Sequence, residues 1–204
     1  EITGRYVYAS QLKDIPIKGW VVDDKTFILE ELDESGKPSA RFTGEFPERD
    51  PRGIYGDSQL SCDVMVGSWQ KLDSHQTFPF YLRSVDSTAG SLDHRYGAAG
   101  VANDDLIHRQ ATRFWEAVRR NDKKMVAAKI RYPIKISLSD KSRLIENEKT
   151  FIQHYDDIIT PATRKAILDD IPRYMFVRSE GIMLANGIVW LGADGRVTAL
   201  VPLP

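Results

Sequence analysis

The sequence predicts an α+β protein in two parts: a curved antiparallel β meander or small barrel, then helices packed on a curved antiparallel sheet. Three observations carry this expectation. Up to about residue 85, short runs of aromatic and β-branched residues alternate with turn residues. Residues 87–105, "STAGSLDHRYGAAGVANDD", are short of large apolar side chains and rich in Gly, Ala, Ser and Asp. Beyond them the apolar residues return every three or four positions, the rhythm of an amphipathic helix. The boundaries read as a β-rich domain at 1–86, a linker at 87–103 and an α+β domain at 104–204.

In the first part, "GRYVYAS" and "IPIKGWVV" have strand composition. "TFILEELDESGKPSARFTGEF" reads as a hairpin. Phe27, Leu29 and Glu31 alternate with Ile28, Glu30 and Leu32, and "DESGK" supplies a turn in which Gly36 can take positive φ. "CDVMVGSWQKL" and "TFPFYLRSV" form a further strand pair joined by "DSHQ". Glycine stands two places before an aromatic residue in "GRY" (4–6), "GEF" (44–46) and "GSW" (67–69), a spacing suited to strands that curve while one face packs. Those stretches follow no fixed period, which argues against a propeller or solenoid. The chain opens directly in a strand pattern, so one or more preceding strands are expected.

In the second part, Ile107, Ala111, Phe114 and Val118 share one helical face, with Asn103 or Asp104 as the cap. Asp122 is placed to cap a shorter helix that buries Met125 and Val126. "YPIKISLSD" alternates as a half-buried strand. A helix capped by Asn147 then carries "FIQHYDDIIT", and Thr160 with Pro161 opens another that Pro172 stops. Three strands close the chain, "RYMFVRS", "GIMLANGIVWLG" and "RVTALVP", the last two joined by the turn "ADG".

The run "FWEAVRRNDKKMVAAKIRYPIKI", the phrase "YDDIITPATRKAIL" and the closing strands resemble the nuclear-transport-factor-like (cystatin-like) superfamily, in a form found in uncharacterised bacterial envelope proteins. The resemblance covers roughly residues 101–204 and implies a cone-shaped α+β domain whose sheet curls around a helix to leave a pocket. Some members of that group are isomerases, dehydratases or hydrolases with Asp, His or Tyr inside the cone, and many others bind or assemble without catalysis. The first 85 residues resemble no family.

The bulk numbers narrow the function classes. The chain holds 204 residues, 42% hydrophobic and 28% charged, which suits a packed core. No apolar run reaches the roughly 20 residues of a membrane span. Cys62 is the single cysteine, so no internal disulfide forms. The net charge of −1 hides an asymmetry: residues 1–98 carry 11 basic and 16 acidic residues, and the remainder is net positive. The four histidines show no paired spacing, and no Cys–His group, calcium loop, phosphate loop or nucleophile elbow occurs, so neither a metal nor a cofactor is expected. The basic stretch "RRNDKKMVAAKIRY" has interspersed acids and core-facing aromatics, which speaks against nucleic acid.

The cluster His154, Tyr155, Asp156 and Asp157 invites an acid–base reading, which helical geometry tests. At about 100° per residue, Tyr155 points to the buried face, His154 and Asp156 fall on the flanks, and Asp157 faces out. A proton shuttle needs its partners within about 3 Å, so no catalytic residue is assigned. Tyr155, Tyr174, Arg178, Asn186 and Trp190 are the candidates for lining a pocket. Arg52, Ile54 and Tyr55, in the loop "PERDPRGIYGDSQ" (47–59), are the candidates for protein contact. The favoured reading is a non-catalytic, periplasmic or envelope-associated binding protein, for instance an inhibitor or immunity protein against a cell-wall hydrolase. The alternatives are a small-molecule binder or acid–base enzyme using the cone, and a homodimer built on the final sheet through Trp190.

Overall fold

The computed structural model describes every residue except 9, 55, 57–61, 85–91, 139 and 140. It divides into two compact units, Glu1–Thr88 and Ala89–Pro204.

In the first unit, β1 (Ile2–Val7), β2 (Asp14–Val21), β3 (Thr26–Leu32), β4 (Pro38–Glu45), β5 (Val64–Lys71) and β6 (Thr77–Arg83) form one antiparallel sheet in chain order. The sheet is curled into an open half-barrel, so the meander of the sequence reading is present. Two aspartates set the tight turns. Asp23 accepts from the amides of Lys25 and Thr26, both at 2.8 Å. Asp33 accepts from those of Ser35 and Lys37 at 2.8 and 2.9 Å, beside Gly36 at φ +78°.

The curl has a local cause. Gly19 lies opposite Leu29, Gly44 opposite Phe27, and Gly67 opposite both Gly44 and Phe80. A methyl group at Gly19 would stand 2.0 Å from the Ile28 carbonyl oxygen, at Gly44 2.2 Å from that of Val66, and at Gly67 2.1 Å from that of Thr43. Neighbouring strands approach here more closely than any side chain permits. On the hollow side the ring of Phe27 fills the space over Gly44 and packs on Phe46 and Phe80 at 5.0 and 6.2 Å between centroids.

The second unit begins earlier than a linker at 87–103 allows. Two short 3₁₀ turns, Leu92–His94 and Gly97–Ala99, flank Tyr96, whose side chain is fully buried in this unit's core. Asn103 caps α1 (Asp104–Arg119), accepting from the Leu106 amide. Ile107, Ala111, Phe114 and Val118 are all fully buried, as their spacing requires. Asp122 caps α2 (Lys123–Ala127), which buries Val126 but leaves Met125 46% exposed, against expectation. The two residues are neighbours and point about 100° apart around the helix axis, and Val126 and Ala127 take the buried side.

There follow β7 (Ile134–Leu138), β8 (Lys141–Ile145), α3 (Glu148–Gln153), α4 (Tyr155–Ile158), α5 (Pro161–Asp169), β9 (Phe176–Arg178), β10 (Gly181–Leu184), β11 (Val189–Leu191) and β12 (Val197–Leu200). The strand order is β8-β7-β12-β11-β10-β9, antiparallel except where β12 runs parallel to β7. Three local readings change. The strand pattern in "GIMLANGIVWLG" is two strands, because Ala185, Asn186 and Gly187 all take positive φ and turn the chain. An additional strand, β8, pairs with β7. The helix capped by Asn147 breaks at His154, where φ −108° and ψ 14° leave the helical region. Among the described residues no helix is long and apolar enough to cross a membrane.

Gly44→Ala tests the cause of the curl. Its methyl would meet both a backbone oxygen and the Phe27 ring. Urea unfolding is expected to show a loss of about 3 kcal/mol, against a much smaller change for Gly36→Asn, since Gly36 has open space around it and asparagine tolerates its positive φ.

Candidate functional site

Tyr155, the candidate central to a pocket in the second unit, is 1% exposed and lies in the core. Its ring packs edge-on against Phe151 at 6.3 Å. Among the described residues its hydroxyl meets no hydrogen-bond partner, and burial raises the phenol's pKa above its ordinary value. The neighbouring acids turn away as helical geometry requires. Asp156 is 78% exposed and holds Lys123 through both oxygens at 2.6 and 2.8 Å. Asp157 lies beside His154 at 3.5 Å on the surface.

The other pocket candidates lie elsewhere. Tyr174 stacks edge-on with His108 at 5.0 Å, and His108 meets the buried Tyr96 hydroxyl at 3.1 Å. That hydroxyl also accepts from the Met175 amide at 3.0 Å, so Tyr174 belongs to a clamp tying the segment before α1 to the chain before β9. Arg178 and Trp190 do share a shallow recess of about 350 Å³ with Glu180, Thr198 and Ala199. Trp190 donates its indole N–H to the Gly187 carbonyl. Asn186 lines a different recess with Asp170, Ala185 and Leu203. Of the five, only Arg178 and Trp190 come together.

In the contact loop, Asp50 is 7% exposed and organises the turn. It accepts from the amides of Arg52 and Ile54 at 2.9 and 2.7 Å and from the Tyr81 hydroxyl at 2.8 Å. The Arg52 guanidinium lies 4.1 Å from the centroid of the Tyr81 ring, while Ile54 is 56% exposed. Tyr55 lies outside the described residues.

A second polar arrangement of the first unit surrounds Glu31, which alternation places on one strand face with Phe27 and Leu29 and to which the sequence assigns no role. Its Oε2 accepts from the Tyr6 hydroxyl at 2.6 Å and from the Trp69 indole N–H at 3.2 Å; its Oε1 accepts from the Ser39 hydroxyl at 3.1 Å. The donors come from β1, β5 and β4. Aromatic rings continue outward: Tyr8 lies edge-on to Tyr6 at 5.3 Å, Phe42 edge-on to Tyr6 at 5.9 Å, and Phe78 tilted against Trp69 at 5.9 Å. Tyr8 and Phe78 are exposed, so the group opens to solvent. "GRY" and "GSW" had already marked Tyr6 and Trp69, and the alternation in β3 had marked Glu31. Only the curl reveals that they meet.

Chemically this is an acceptor site. One carboxylate is fixed in position, three donors are directed at it, and aromatic rings flank two of those donors. Among the described residues no group of three metal-ligating side chains occurs. Compared with family models, curated proteins and solved structures, the chain matches none.

Burial, with the hydrogen bond to Glu31 next, raises the Tyr6 phenol far above its ordinary value of 10.0. Burial likewise raises those of Tyr96 and Tyr132. The unfolded chain therefore ionises first, and stability intact below pH 10 falls as pH rises past it. Urea midpoints measured across that range should decline, and Tyr6→Phe should make the decline shallower.

Proposed function

We propose that this chain is a non-catalytic binding protein of a bacterial envelope, and that its second unit is a cone-shaped, nuclear-transport-factor-like module. The element order supports the fold reading: helix, short helix, hairpin, helices, then four strands, with β12 brought back beside β7. One observation carries the non-catalytic reading. Tyr155 is buried in the core and, among the described residues, its hydroxyl has no hydrogen-bond partner, while Asp156 and Asp157 in its own helix are exposed and pair with Lys123 and His154. A general acid or base works through a partner within hydrogen-bond reach.

Recognition of another protein is the work that suits what remains. A contact segment gains affinity when its shape is set before binding. Asp50 sets the turn that displays Arg52 and Ile54, and Glu31 sets the aromatic group of the half-barrel. An inhibitor or immunity protein that occludes a cell-wall hydrolase is the concrete form of this reading, and its periplasmic or envelope-associated location follows from the same resemblance.

Two measurements test it. Tyr155→Phe removes a hydroxyl without a partner, so stability should hold or rise by about 1 kcal/mol and partner binding should be unchanged. Chemical cross-linking in intact envelopes, followed by purification, should recover a specific protein. Turnover of a small molecule that Tyr155→Phe abolishes would overturn the reading.

A further inference from the structure

Resting on that binding reading, we infer that the aromatic group around Glu31 is a receptor for one cationic side chain, a lysine or arginine of the protein partner. The first argument is charge. Among the described residues no lysine, arginine or histidine pairs with Glu31, and three cations of this unit pair with other acids. Lys13 pairs with Glu34, Arg41 with Glu30 at 2.8 Å, and Lys71 with Asp73 at 3.0 Å. Among the described residues Glu31, a half-buried carboxylate, takes its hydrogen bonds from neutral donors, Tyr6, Trp69 and Ser39.

The second argument is what the site can offer. Those three donors are directed at the carboxylate, so they do not serve an incoming acceptor. A carboxylate has about four acceptor positions, which leaves room for one more donor. Aromatic rings in edge-on and tilted contact with one another flank the two donors Tyr6 and Trp69, and Tyr8 is 45% and Phe78 54% exposed, so ring surface is open to a ligand. An acceptor without spare donors, flanked by aromatic rings, favours a ligand that both donates and carries positive charge, through cation–π attraction and a charge-assisted hydrogen bond. A neutral polyol would lack the donors that its own oxygens need.

The third argument is long-range. Residues 1–88 hold 10 basic and 15 acidic side chains, a net charge of −5, so the field of this unit steers a cation toward it. Nothing in the site requires a covalent step: binding is the whole event.

The test is a two-dimensional NMR titration of the full chain, following the Trp69 indole N–H, assigned by its loss in Trp69→Phe. The probes are N-acetyl-lysine N-methylamide and its uncharged counterpart, N-acetyl-norleucine N-methylamide. The lysine compound should shift the Trp69 signal saturably, and the norleucine compound should bind about tenfold more weakly or not at all. Glu31→Gln, which keeps an acceptor oxygen and removes the charge, should weaken lysine binding by about tenfold. Tyr8→Ala, a change at an exposed ring, should weaken it as well and carries the test if Glu31→Gln does not fold. Equal shifts from both probes, or wild-type affinity in the folded variants, would overturn the inference. The titration needs no partner protein, so its failure leaves the binding reading standing. A charge-selective shift in a chain from which cross-linking recovers no protein would instead sink the binding reading.

Discussion

A carboxylate withdrawn from water has to be given hydrogen-bond donors, and in the first unit that requirement shapes the sheet around it. Glu31 sits on β3, while Tyr6 sits on β1 and Trp69 on β5, each two strands away. Two strands amount to about 9–10 Å in a sheet, too far for a serine or threonine to bridge but within reach of a tyrosine or tryptophan leaning inward. The lean needs curvature, and curvature needs places where one strand can press against the next. Gly19, Gly44 and Gly67 are those places. The hydrogen bonds and the glycine approaches are therefore one constraint: without the curl the donors do not converge, and without the donors a half-buried charge opposes the curl.

The second unit solves a similar polar problem differently. Here the buried polar groups tie chain segments together. The Tyr96 hydroxyl takes the Met175 amide and meets His108, and Arg95 donates its Nε to the Met175 carbonyl at 2.9 Å. Asp104, in the first turn of α1, accepts from the backbone amide of Arg95 at 2.6 Å. The two Met175 contacts bring the segment preceding α1 against the chain before β9, about 80 residues further along, while His108 and Asp104 tie that segment to α1. Tyr96 and Met175 make these contacts from within the core, whereas the equally buried Tyr155 packs its ring on Phe151 and under the Lys123 ammonium. Among the described residues, the dense polar contacts of this unit are thus ones that join chain segments.

Much of this was legible in the chain, for reasons particular residues show. The strands of the first unit and the caps at Asn103, Asp122, Asn147 and Thr160 are local signals, since a cap needs only the amide three residues on. The inward Tyr155 was legible as well, because it follows Phe151 by about one helical turn and the break at His154 does not turn it out of the core. The segment around Tyr96 was not: glycines and alanines surround one large ring, and a composition average hides the single residue that anchors the stretch. Nor was the role of Glu31. Alternation placed it on the face of Phe27 and Leu29, but an acid on an apolar face acquires meaning only from donors 25 and 38 residues away. Arg178 and Trp190 come together through strand pairing, whereas Asn186 departs because its positive φ makes it part of a turn.

The contrast between the units bears on how recognition would be divided within the chain. A site built from hydrogen-bonded side chains on paired strands has little left to order when a ligand arrives, and the entropy cost of binding falls accordingly. Glu31, Tyr6 and Trp69 meet that condition, because each is held by the others before anything binds. The loop at Asp50 meets it in a second way, through backbone amides fixed on one carboxylate, which lets Ile54 stay exposed on a defined turn. An apolar anchor on a fixed turn and an acidic, aromatic group on a curled sheet are complementary kinds of contact. The first gains from excluding water and the second from charge. A partner that presents an apolar pocket and a basic side chain would use both, and neither contact asks the core of the second unit to open.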